Sequence, residues 1–399
     1  MKEIFIKDFN YNLPAERIAT FPLHNREDSK LLVYKRGGIE ETPFKAISER
    51  IPAPASLILN DTRVIEARIL FQKSTGGIIE LFCLEPFAPW NIVQAMVQTE
   101  KIQWRCLIGG ASKWKAGQVL EKKLKLDSHT VQLTAKYISK EANDFIVELS
   151  WNSDHPFAQI IEAAGNIPLP PYIKRSAEHS DASRYQTVFA AHKGSVAAPT
   201  AALHFSDAVF ESIKGKGIDP RYITLHVGAG TFLPVKTETI ADHQMHAETF
   251  TVTNDLLASL IASETIVAVG TTTLRTLESL YWLGIKLKNG HADFVLSQWE
   301  AYELQDHITY KESLTLLFEY LEKRGETALH CRTSLLIRPG YTFHSAKAII
   351  TNFHQPKSTL LLLVAAFIGE DWKKVYEHAL SNNYRFLSYG DSSLLWRND

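Results

Sequence analysis

Short runs of alternating apolar and polar residues fill the stretch from residue 64 to residue 150. Within residues 131–137, for example, an extended chain would place Val131, Leu133 and Ala135 on one face and polar residues on the other. Glycine pairs and other turn residues separate these runs. A period of two is typical of half-buried strands. The pattern therefore predicts an all-β barrel domain inserted at residues 64–150.

On both sides of this insertion, apolar runs lead into helical patterns. Strands are predicted at residues 56–59, 222–227, 266–269 and 348–353, and a further strand that enters a turn at residues 384–392. Helices are predicted at residues 156–164, with Asp154 as N-cap and Gly165 as the end, and within the charged stretch 300–330. We therefore predict an α/β main domain, with a mixed sheet and flanking helices, formed by residues 1–63 and 151–399.

Composition narrows the possible functions. The 399 residues carry 43 Lys and Arg against 44 Asp and Glu, so any nucleic acid would be bound by a local basic patch. Cys83, Cys106 and Cys331 form no C-x-x-C pair, which disfavours a disulfide framework or a cysteine zinc site. The longest apolar run, residues 360–368, is too short to span a bilayer. These features predict a cytoplasmic protein with no membrane partner.

A strand–turn–helix pattern at residues 266–279 is the first candidate site. An apolar run reaches Gly270, three threonines follow, and a helical pattern begins. The N–H groups at a helix N-terminus attract anions and hydrogen-bond acceptors, so Gly270, Thr271, Thr272 and Arg275 are candidate ligand contacts. The alternative is a threonine N-cap with an Arg275–Glu278 pair on a solvated helix face.

A similar turn precedes the apolar segment 359–368. Lys357 and Ser358 stand where a phosphate-binding loop ends, but the upstream glycines of a Walker A motif are missing. These two residues are candidate contacts for a carboxylate or a phosphate. Alternatively, Ser358 or Thr359 is an N-cap and Lys357 a solvated charge.

A glycine-containing segment follows the predicted strand at 222–227. Gly228 and Gly230, with Thr231, would let a ligand approach the backbone, but Leu233 interrupts the dinucleotide fingerprint G-x-G-x-x-G. A nicotinamide dinucleotide site is therefore disfavoured. At the other end of the chain, Asp391 is either a ligand contact or a turn former.

His246 and Glu248 alternate along what the pattern indicates is a strand, which would place both side chains on one face. This arrangement suits an acid/base pair or a structural hydrogen bond. With His243 they form the one metal-like cluster in the sequence, but their spacing matches no familiar zinc signature. We therefore expect no metal.

Basic and aromatic residues cluster once, after a proline-rich segment. Tyr172, Lys174, Arg175, Arg184 and Lys193 could bind an RNA backbone and stack a base. A solvated charged loop is the alternative.

Ten ordered blocks resemble the S-adenosylmethionine:tRNA ribosyltransferase-isomerase family of queuosine biosynthesis. They are LPAERIATFPLHNREDSKLLVY (13–34), LILNDTRVIEARI (57–69), GNIPLPPYIKR (165–175), RYQTVFAAHKGSVAAPTAALHF (184–205), ITLHVGAGTFLPV (223–235), MHAETF (245–250), VGTTTLRTLES (269–279), RPGYTF (338–343), ITNFHQPKSTLLLLVAAFIG (350–369) and YRFLSYGD (384–391). The family fold, an α/β domain with an inserted β-barrel, agrees with the pattern above.

The resemblance implies a reaction. The ribosyl group of S-adenosylmethionine would be transferred and isomerised onto 7-aminomethyl-7-deazaguanine at the tRNA wobble position, giving epoxyqueuosine with release of adenine and methionine. In the mechanism generally proposed for the family, a base removes a proton from the ribose carbon beside the sulfonium. Such a step needs a base, a proton donor for adenine and a pocket poor in water.

The resemblance also marks positions for these duties. His204, His226 and His246 are candidates for the acid/base groups because imidazole titrates near neutrality, and we add Glu248 and Arg275 as catalytic candidates. Candidate contacts for S-adenosylmethionine are Asn60, Asp61, Arg63, Gly228, Gly230, Thr231, Gly270, Thr271, Thr272, Lys357, Ser358 and Asp391. The basic cluster would hold tRNA.

Three departures from the family pattern keep other functions open. Ala202 replaces a common glycine, Ser334 replaces an acidic residue, and residues 286–331 form a longer segment than usual. The alternatives are a non-catalytic paralogue that binds RNA or nucleotide, and a divergent S-adenosylmethionine-dependent transferase with another acceptor. We expect a monomer, with a weak dimer as the alternative.

Overall fold

The computed structural model describes residues 3–115, 117–141, 144–228, 235, 237–305 and 307–398. Its strands are β1 (Lys30–Lys35), β2 (Gly38–Pro43), β3 (Ala55–Asn60), β4 (Thr62–Val64), β5 (Arg68–Gln72), β6 (Ile78–Ala88), β7 (Lys101–Gly109), β8 (Val119–Leu126), β9 (His129–Glu141), β10 (Asp144–Trp151), β11 (Gly165–Asn166), β12 (His192–Ser195), β13 (Ile218–Leu225), β14 (Glu248–Thr253), β15 (Ile266–Val269), β16 (Val295–Leu296), β17 (Ala328–Thr333), β18 (Ala348–Asn352) and β19 (Ser392–Trp396).

The α-helices are α1 (Ile92–Met96), α2 (Phe157–Ala164), α3 (Asp181–Arg184), α4 (Asp207–Gly215), α5 (Asn254–Ala262), α6 (Thr271–Lys288), α7 (Tyr310–Arg324), α8 (Thr359–Ile368) and α9 (Asp371–Ser381). Short 3-10 turns join several of them, at Ile6–Phe9, Ala15–Arg17, Arg26–Asp28, Phe44–Glu49, Ala111–Lys113, Thr200–Ala202 and Glu300–Tyr302. No helix in the described part of the chain is both long enough and apolar enough to cross a membrane.

A mixed ten-stranded sheet forms the centre of the α/β part, in the order β16-β17-β14-β13-β3-β15-β18-β19-β1-β2. Strand β3 pairs in parallel with β13 and β15, and β15 pairs in parallel with β18. The central strands are buried along their whole length, which explains their unbroken apolar sequences.

Helices cover both faces of this sheet. Alternate residues of β3 belong to different cores: Ile58 packs with the apolar residues of α5 to α9, whereas Leu57 and Leu59 pack with α4. The result is a three-layer α/β arrangement, as the alternation of strands and helices predicts.

A seven-stranded antiparallel sheet, in the order β11-β5-β6-β7-β10-β9-β8, forms the second part. The sheet curls so that its ends approach one another. Lys122 Nζ of β8 donates a hydrogen bond to the Leu70 carbonyl of β5 at 3.2 Å, which shows how close the two strands are. The sheet has its own apolar core, in which Trp104 is fully buried. This core also takes in α2, which follows the curled sheet in the chain.

The structure confirms most of the predicted elements and corrects two. Strand β15 has the predicted bounds, β3 extends one residue beyond the prediction at each end, and β18 ends one residue early. Helix α2 ends before Gly165, as predicted, but its N-cap is Pro156 rather than Asp154. The strand predicted from residue 384 is wrong, since the strand there, β19, begins only at Ser392.

Candidate functional site

A cleft opens where β15 and β18 end and α6 and α8 begin. It encloses about 700 Å³ of space continuous with solvent. Ligands of α/β proteins commonly bind beyond the carboxyl ends of the strands. Its lining residues are Tyr172, Ala197, Ala198, Pro199, Thr200, Ala201, Val227, Gly270, Thr271, Thr272, Thr351, Asn352, His354, Gln355, Ser358, Leu360, Leu387 and Ser388. The lining combines small apolar side chains with hydroxyl, amide and ring groups, and it contains no lysine, arginine or carboxylate among the described residues.

The first turn of α6 forms one wall of the cleft. Gly270 precedes it with a φ of 96°, a conformation that favours glycine, and its N–H donates to the Ile350 carbonyl at 2.8 Å. No side chain caps this helix. The threonines at positions 271 and 272 therefore present an uncapped helix N-terminus to the cleft.

Arg275 lies one turn further along α6 and forms a buried ion pair with Glu248. Burial lowers the pKa of Arg275 to about 10. The other carboxylate oxygen of Glu248 accepts a hydrogen bond from the Gly228 N–H at 3.2 Å. Arg275 also lines a small hollow beside the cleft, together with Thr271 and Thr272, and its Nε has no hydrogen-bond partner among the described residues.

The alternative of a solvated α6 face is wrong. Residues 271–286 are all buried, and Arg275 pairs with Glu248 rather than with Glu278. Glu278 instead accepts hydrogen bonds from the Tyr341 hydroxyl at 2.9 Å and the Ser345 N–H at 2.9 Å. Burial raises the pKa of Glu278, and these hydrogen bonds oppose that rise.

The three histidines considered for acid/base chemistry do not line the cleft. His204 is buried behind Asn352: its Nε2 lies 3.2 Å from Asn352 Nδ2, and its Nδ1 lies 2.9 Å from Ser29 Oγ. Burial lowers the pKa of His204 to about 3. Because Asn352 lines the cleft, His204 orients a cleft residue rather than reaching the cleft itself.

His226 and His246 lie elsewhere. His226 Nδ1 is 3.2 Å from Thr62 Oγ1, and burial lowers the pKa of His226 to about 4. A Cβ at Gly194 would lie 2.8 Å from this ring, so glycine is needed there. His246 is exposed and precedes β14, which begins at Glu248, so the predicted shared strand face is wrong.

Asn60, Asp61 and Arg63 stand outside the cleft lining. The Asn60 side chain is fully buried and bonds to the main chain of Leu225 and Thr62. Asp61 accepts from Thr224 Oγ1 at 2.7 Å, and burial raises its pKa, while Arg63 is exposed. Asn60 and Asp61 therefore stabilise the connection between β3, β4 and β13.

Ser358 lies in the cleft lining, whereas Lys357 and Asp391 do not. Ser358 is the N-cap of α8: its Oγ accepts from the Leu361 N–H at 3.2 Å and donates to the Gln355 carbonyl at 2.8 Å. Lys357 is exposed. Asp391 is buried and accepts from the Lys30 N–H at 3.0 Å and the Arg385 N–H at 2.8 Å.

Two further candidates, Gly230 and Thr231, lie outside the described residues, and Gly228 makes the bond to Glu248 given above. In the part of the chain that the structure describes, no group of three or more His, Cys, Asp or Glu side chains is arranged to hold a metal ion.

Most of the basic cluster is bound within the protein. Arg175 forms a two-pronged ion pair with Asp181, with distances of 2.6 and 2.8 Å. Burial would raise the pKa of Asp181, but Arg175 and the other hydrogen bonds outweigh it and lower that pKa. Arg184 donates hydrogen bonds to the Leu23 and His24 carbonyls, and Lys193 forms an ion pair with Glu162. Lys174 is exposed.

Two of the described lining residues, Tyr172 and His354, carry aromatic side chains. Tyr172 reaches the cleft, with its hydroxyl 2.5 Å from Ser388 Oγ. His354 also lines it, with Nε2 2.8 Å from Thr351 Oγ1. The sequence reasoning missed His354, although it lies between Asn352 and the Lys357-Ser358 turn in a segment already singled out.

Comparison with known proteins gives consistent matches along the chain. The sequence profile of a family described as "Queuosine biosynthesis protein" matches residues 6–395. The S-adenosylmethionine:tRNA ribosyltransferase-isomerases of Legionella pneumophila (strain Paris) and Halothermothrix orenii are similar, at 37% and 38% identity, each match covering 98% of this chain and 99% of the relative. A crystal structure of S-adenosylmethionine tRNA ribosyltransferase from Thermotoga maritima is similar at 26% identity and a TM-score of 0.47, over 97% of this chain and 99% of that one.

Proposed function

The chain belongs to the queuosine biosynthesis protein family, and from this premise we propose that it is an S-adenosylmethionine:tRNA ribosyltransferase-isomerase. It transfers and isomerises the ribosyl group of S-adenosylmethionine onto 7-aminomethyl-7-deazaguanine at the wobble position of tRNA. Epoxyqueuosine forms in the tRNA, and adenine and methionine are released. S-adenosylmethionine is thus a substrate that supplies the ribosyl group, and the reaction as written requires no metal.

The uncapped N-terminus of α6 is the observation that supports this function most. We propose that it binds the carboxylate of the methionine part of S-adenosylmethionine, because free N–H groups and the helix dipole favour an anion there. Gly270, Thr271 and Thr272 are the proposed contacts. The small residues at 197–201, which also line the cleft, leave room for a flat adenine ring.

Arg275 and Glu248 support the same end of the ligand. Arg275 lines the hollow beside the α6 N-terminus, and its buried Nε has no partner among the described residues, so we propose that the guanidinium donates a hydrogen bond to the carboxylate. Glu248 fixes the guanidinium and connects it to the Gly228 N–H. Ser358 completes this wall as the N-cap of α8.

The tRNA would enter at the side of the cleft where Tyr172 lies. We propose that Lys174 contacts a phosphate there, since it is exposed and follows Tyr172 closely in the chain. Arg175, Arg184 and Lys193 shape this region through their internal partners. Few phosphate contacts imply that tRNA affinity falls with salt along a shallow slope.

We also propose the two-domain division of the chain, with an inserted barrel-like domain at residues 64–150 between residues 1–63 and 151–399. The separate core of the curled sheet supports an inserted unit, although this core also includes residues of α2, beyond residue 150. A protein that modifies tRNA acts where tRNA is, so we propose a cytoplasmic location, and we propose that the protein is a monomer.

One assay tests the function. The protein is incubated with S-adenosylmethionine and tRNA that carries the deazaguanine precursor, and adenine and the wobble nucleoside are measured by chromatography and mass spectrometry. We expect adenine release together with epoxyqueuosine in the tRNA. Binding without turnover would indicate a non-catalytic paralogue, and a methylated tRNA would indicate a different transferase; either result contradicts the proposal.

A further inference from the structure

Two side chains that line the cleft can ionise, among the residues that the structure describes: Tyr172 and His354. Burial raises the pKa of Tyr172, whose hydroxyl also contacts Ser388 Oγ. A phenol with a raised pKa does not act as a base near neutrality. His354 is therefore the one described lining residue that offers an unprotonated ring nitrogen at neutral pH.

The His354 ring is oriented by one side-chain contact, and two tyrosine hydroxyls hold the main chain of the residue. Its Nε2 lies 2.8 Å from Thr351 Oγ1, its main-chain N–H donates to the Tyr376 hydroxyl at 3.1 Å, and its carbonyl accepts from the Tyr11 hydroxyl. The residue is 8% exposed. No described residue bonds to Nδ1, so this nitrogen is left for a molecule bound in the cleft.

The three histidines considered from the sequence are not placed to accept a proton from a molecule in the cleft. Both ring nitrogens of His204 already have protein partners, Ser29 and Asn352. His226 and His246 stand outside the cleft lining.

Resting on the function proposed above, we propose that His354 is the catalytic base of the cleft. Its Nδ1 takes the proton from the ribose carbon bonded to the sulfonium, and the electron pair stays on that carbon. The bond between adenine and the ribose later breaks, and its electron pair leaves with adenine. The imidazolium then gives the same proton to the adenine nitrogen, so one side chain serves both proton transfers.

The surroundings of the ring keep it uncharged until it takes up the proton. Among the described residues, the titratable side chains that contact His354 or share its cleft are the phenols Tyr11, Tyr376 and Tyr172, which are uncharged at neutral pH because burial raises the pKa of each. Burial lowers the pKa of His354 to about 3. The free ring is thus neutral across the physiological range. Its low pKa makes it a weak base for the first transfer, whereas its imidazolium is a strong acid that readily protonates departing adenine.

The test compares His354→Gln with the matched control His129→Gln. His129 is exposed and lies on β9 of the curled sheet, outside the cleft. We expect H354Q to lower kcat for adenine release by about 100-fold or more, the range for loss of general acid/base catalysis, with the KM for S-adenosylmethionine changed by less than about threefold. H129Q should match the wild type.

Two further measurements separate catalysis from folding. In His354→Ala, added imidazole should restore kcat at least about tenfold, because it fills the vacated position and replaces the lost base. Thr351→Val keeps the ring but removes the partner of Nε2, so we expect kcat to fall severalfold with KM unchanged. A rise in KM alone, or no rescue by imidazole in a folded variant, would overturn the assignment.

The outcomes also distinguish this assignment from the function on which it rests. If wild-type protein turns over and H354Q keeps more than about a tenth of its kcat, the function stands and the assignment to His354 is wrong. If wild-type protein releases no adenine from the complete mixture, both are wrong.

Discussion

Two strand–turn–helix units meet at the cleft, and their helices begin in different ways. Strand β15 leads through Gly270 into α6, whose first turn has no side-chain cap. Strand β18 leads into α8, where Ser358 caps the helix by accepting a hydrogen bond from the Leu361 N–H. The same topology thus gives one helix N-terminus that is open to a ligand and one that is satisfied by its own sequence.

The two helix N-termini therefore contribute to the cleft in different ways. The α6 unit carries the uncapped N–H groups and the Arg275–Glu248 pair, whereas the α8 unit carries a capped helix and the buried residues that support Asn352 and His354. We therefore expect changes at the start of α6 to reduce binding of S-adenosylmethionine. Changes at the start of α8 should act mainly on stability.

The largest effect is expected at the ion pair. Arg275→Met leaves the buried carboxylate of Glu248 without its cation and should lower the free energy of unfolding by about 3–5 kcal/mol. Adding Glu248→Gln should recover much of this stability but not the affinity for S-adenosylmethionine. Urea denaturation measures the stability of each variant, and calorimetry measures its affinity for S-adenosylmethionine. Full recovery of affinity in the double variant would remove Arg275 from the binding site.

A smaller effect is expected at the glycine before α6. Gly270→Ala forces a side chain into a φ of 96°, with a cost of about 1–3 kcal/mol. The new Cβ would meet atoms no closer than 3.7 Å, so backbone strain rather than a clash causes the loss. Affinity for S-adenosylmethionine should fall at least about tenfold. Unchanged affinity would mean that the α6 turn is not a ligand contact.

Acid should lower the free energy of unfolding through His204 and His354, the two buried histidines at the β18–α8 unit. Burial lowers the pKa of both His204 and His354 to about 3, below the ordinary value of about 6.5 in the unfolded chain. The unfolded state therefore binds more protons as pH falls below about 6.5, and each histidine removes about 1.4 kcal/mol per pH unit until the folded pKa is reached. Urea midpoints between pH 7 and pH 5 measure this slope, and His204→Gln should reduce it. A flat profile would contradict the burial of neutral rings.

The smallest effect is expected at the cap of α8. Ser358→Ala removes the acceptor for the Leu361 N–H and should cost about 1 kcal/mol of stability. Its loss of affinity for S-adenosylmethionine should be smaller than that of G270A. Thermal unfolding and calorimetry on both variants check the ranking, and a reversed ranking would break the contrast between the two helices.

Sequence reasoning was most accurate where the signal is local. The bounds of β15 and the start of α6 follow from an apolar run, a glycine and a helical period, and the structure confirms them. The partner of Arg275 could not be predicted from local sequence, because Glu248 at the start of β14 comes close to Arg275 only in the folded chain. Sequence spacing favoured Glu278, and complete burial of the helix excludes that solvated pair.

The histidines show the same limit. Three were chosen because imidazole suits acid/base chemistry, but side-chain type does not reveal which ring reaches a cavity. His204 is held behind Asn352, and His354 reaches the cleft. Long-range packing decides both positions, although a histidine so near the predicted Lys357–Ser358 turn was a signal worth following.

We propose that the uncapped N-terminus of α6 binds the carboxylate of S-adenosylmethionine. Calorimetry with S-adenosylmethionine and its decarboxylated analogue, on wild-type protein and on Gly270→Ala, tests it most directly. We expect wild-type protein to prefer S-adenosylmethionine by about tenfold or more, equivalent to about 1.4 kcal/mol, and G270A to lose most of that preference. Equal affinities of wild-type protein for the two compounds would contradict the account.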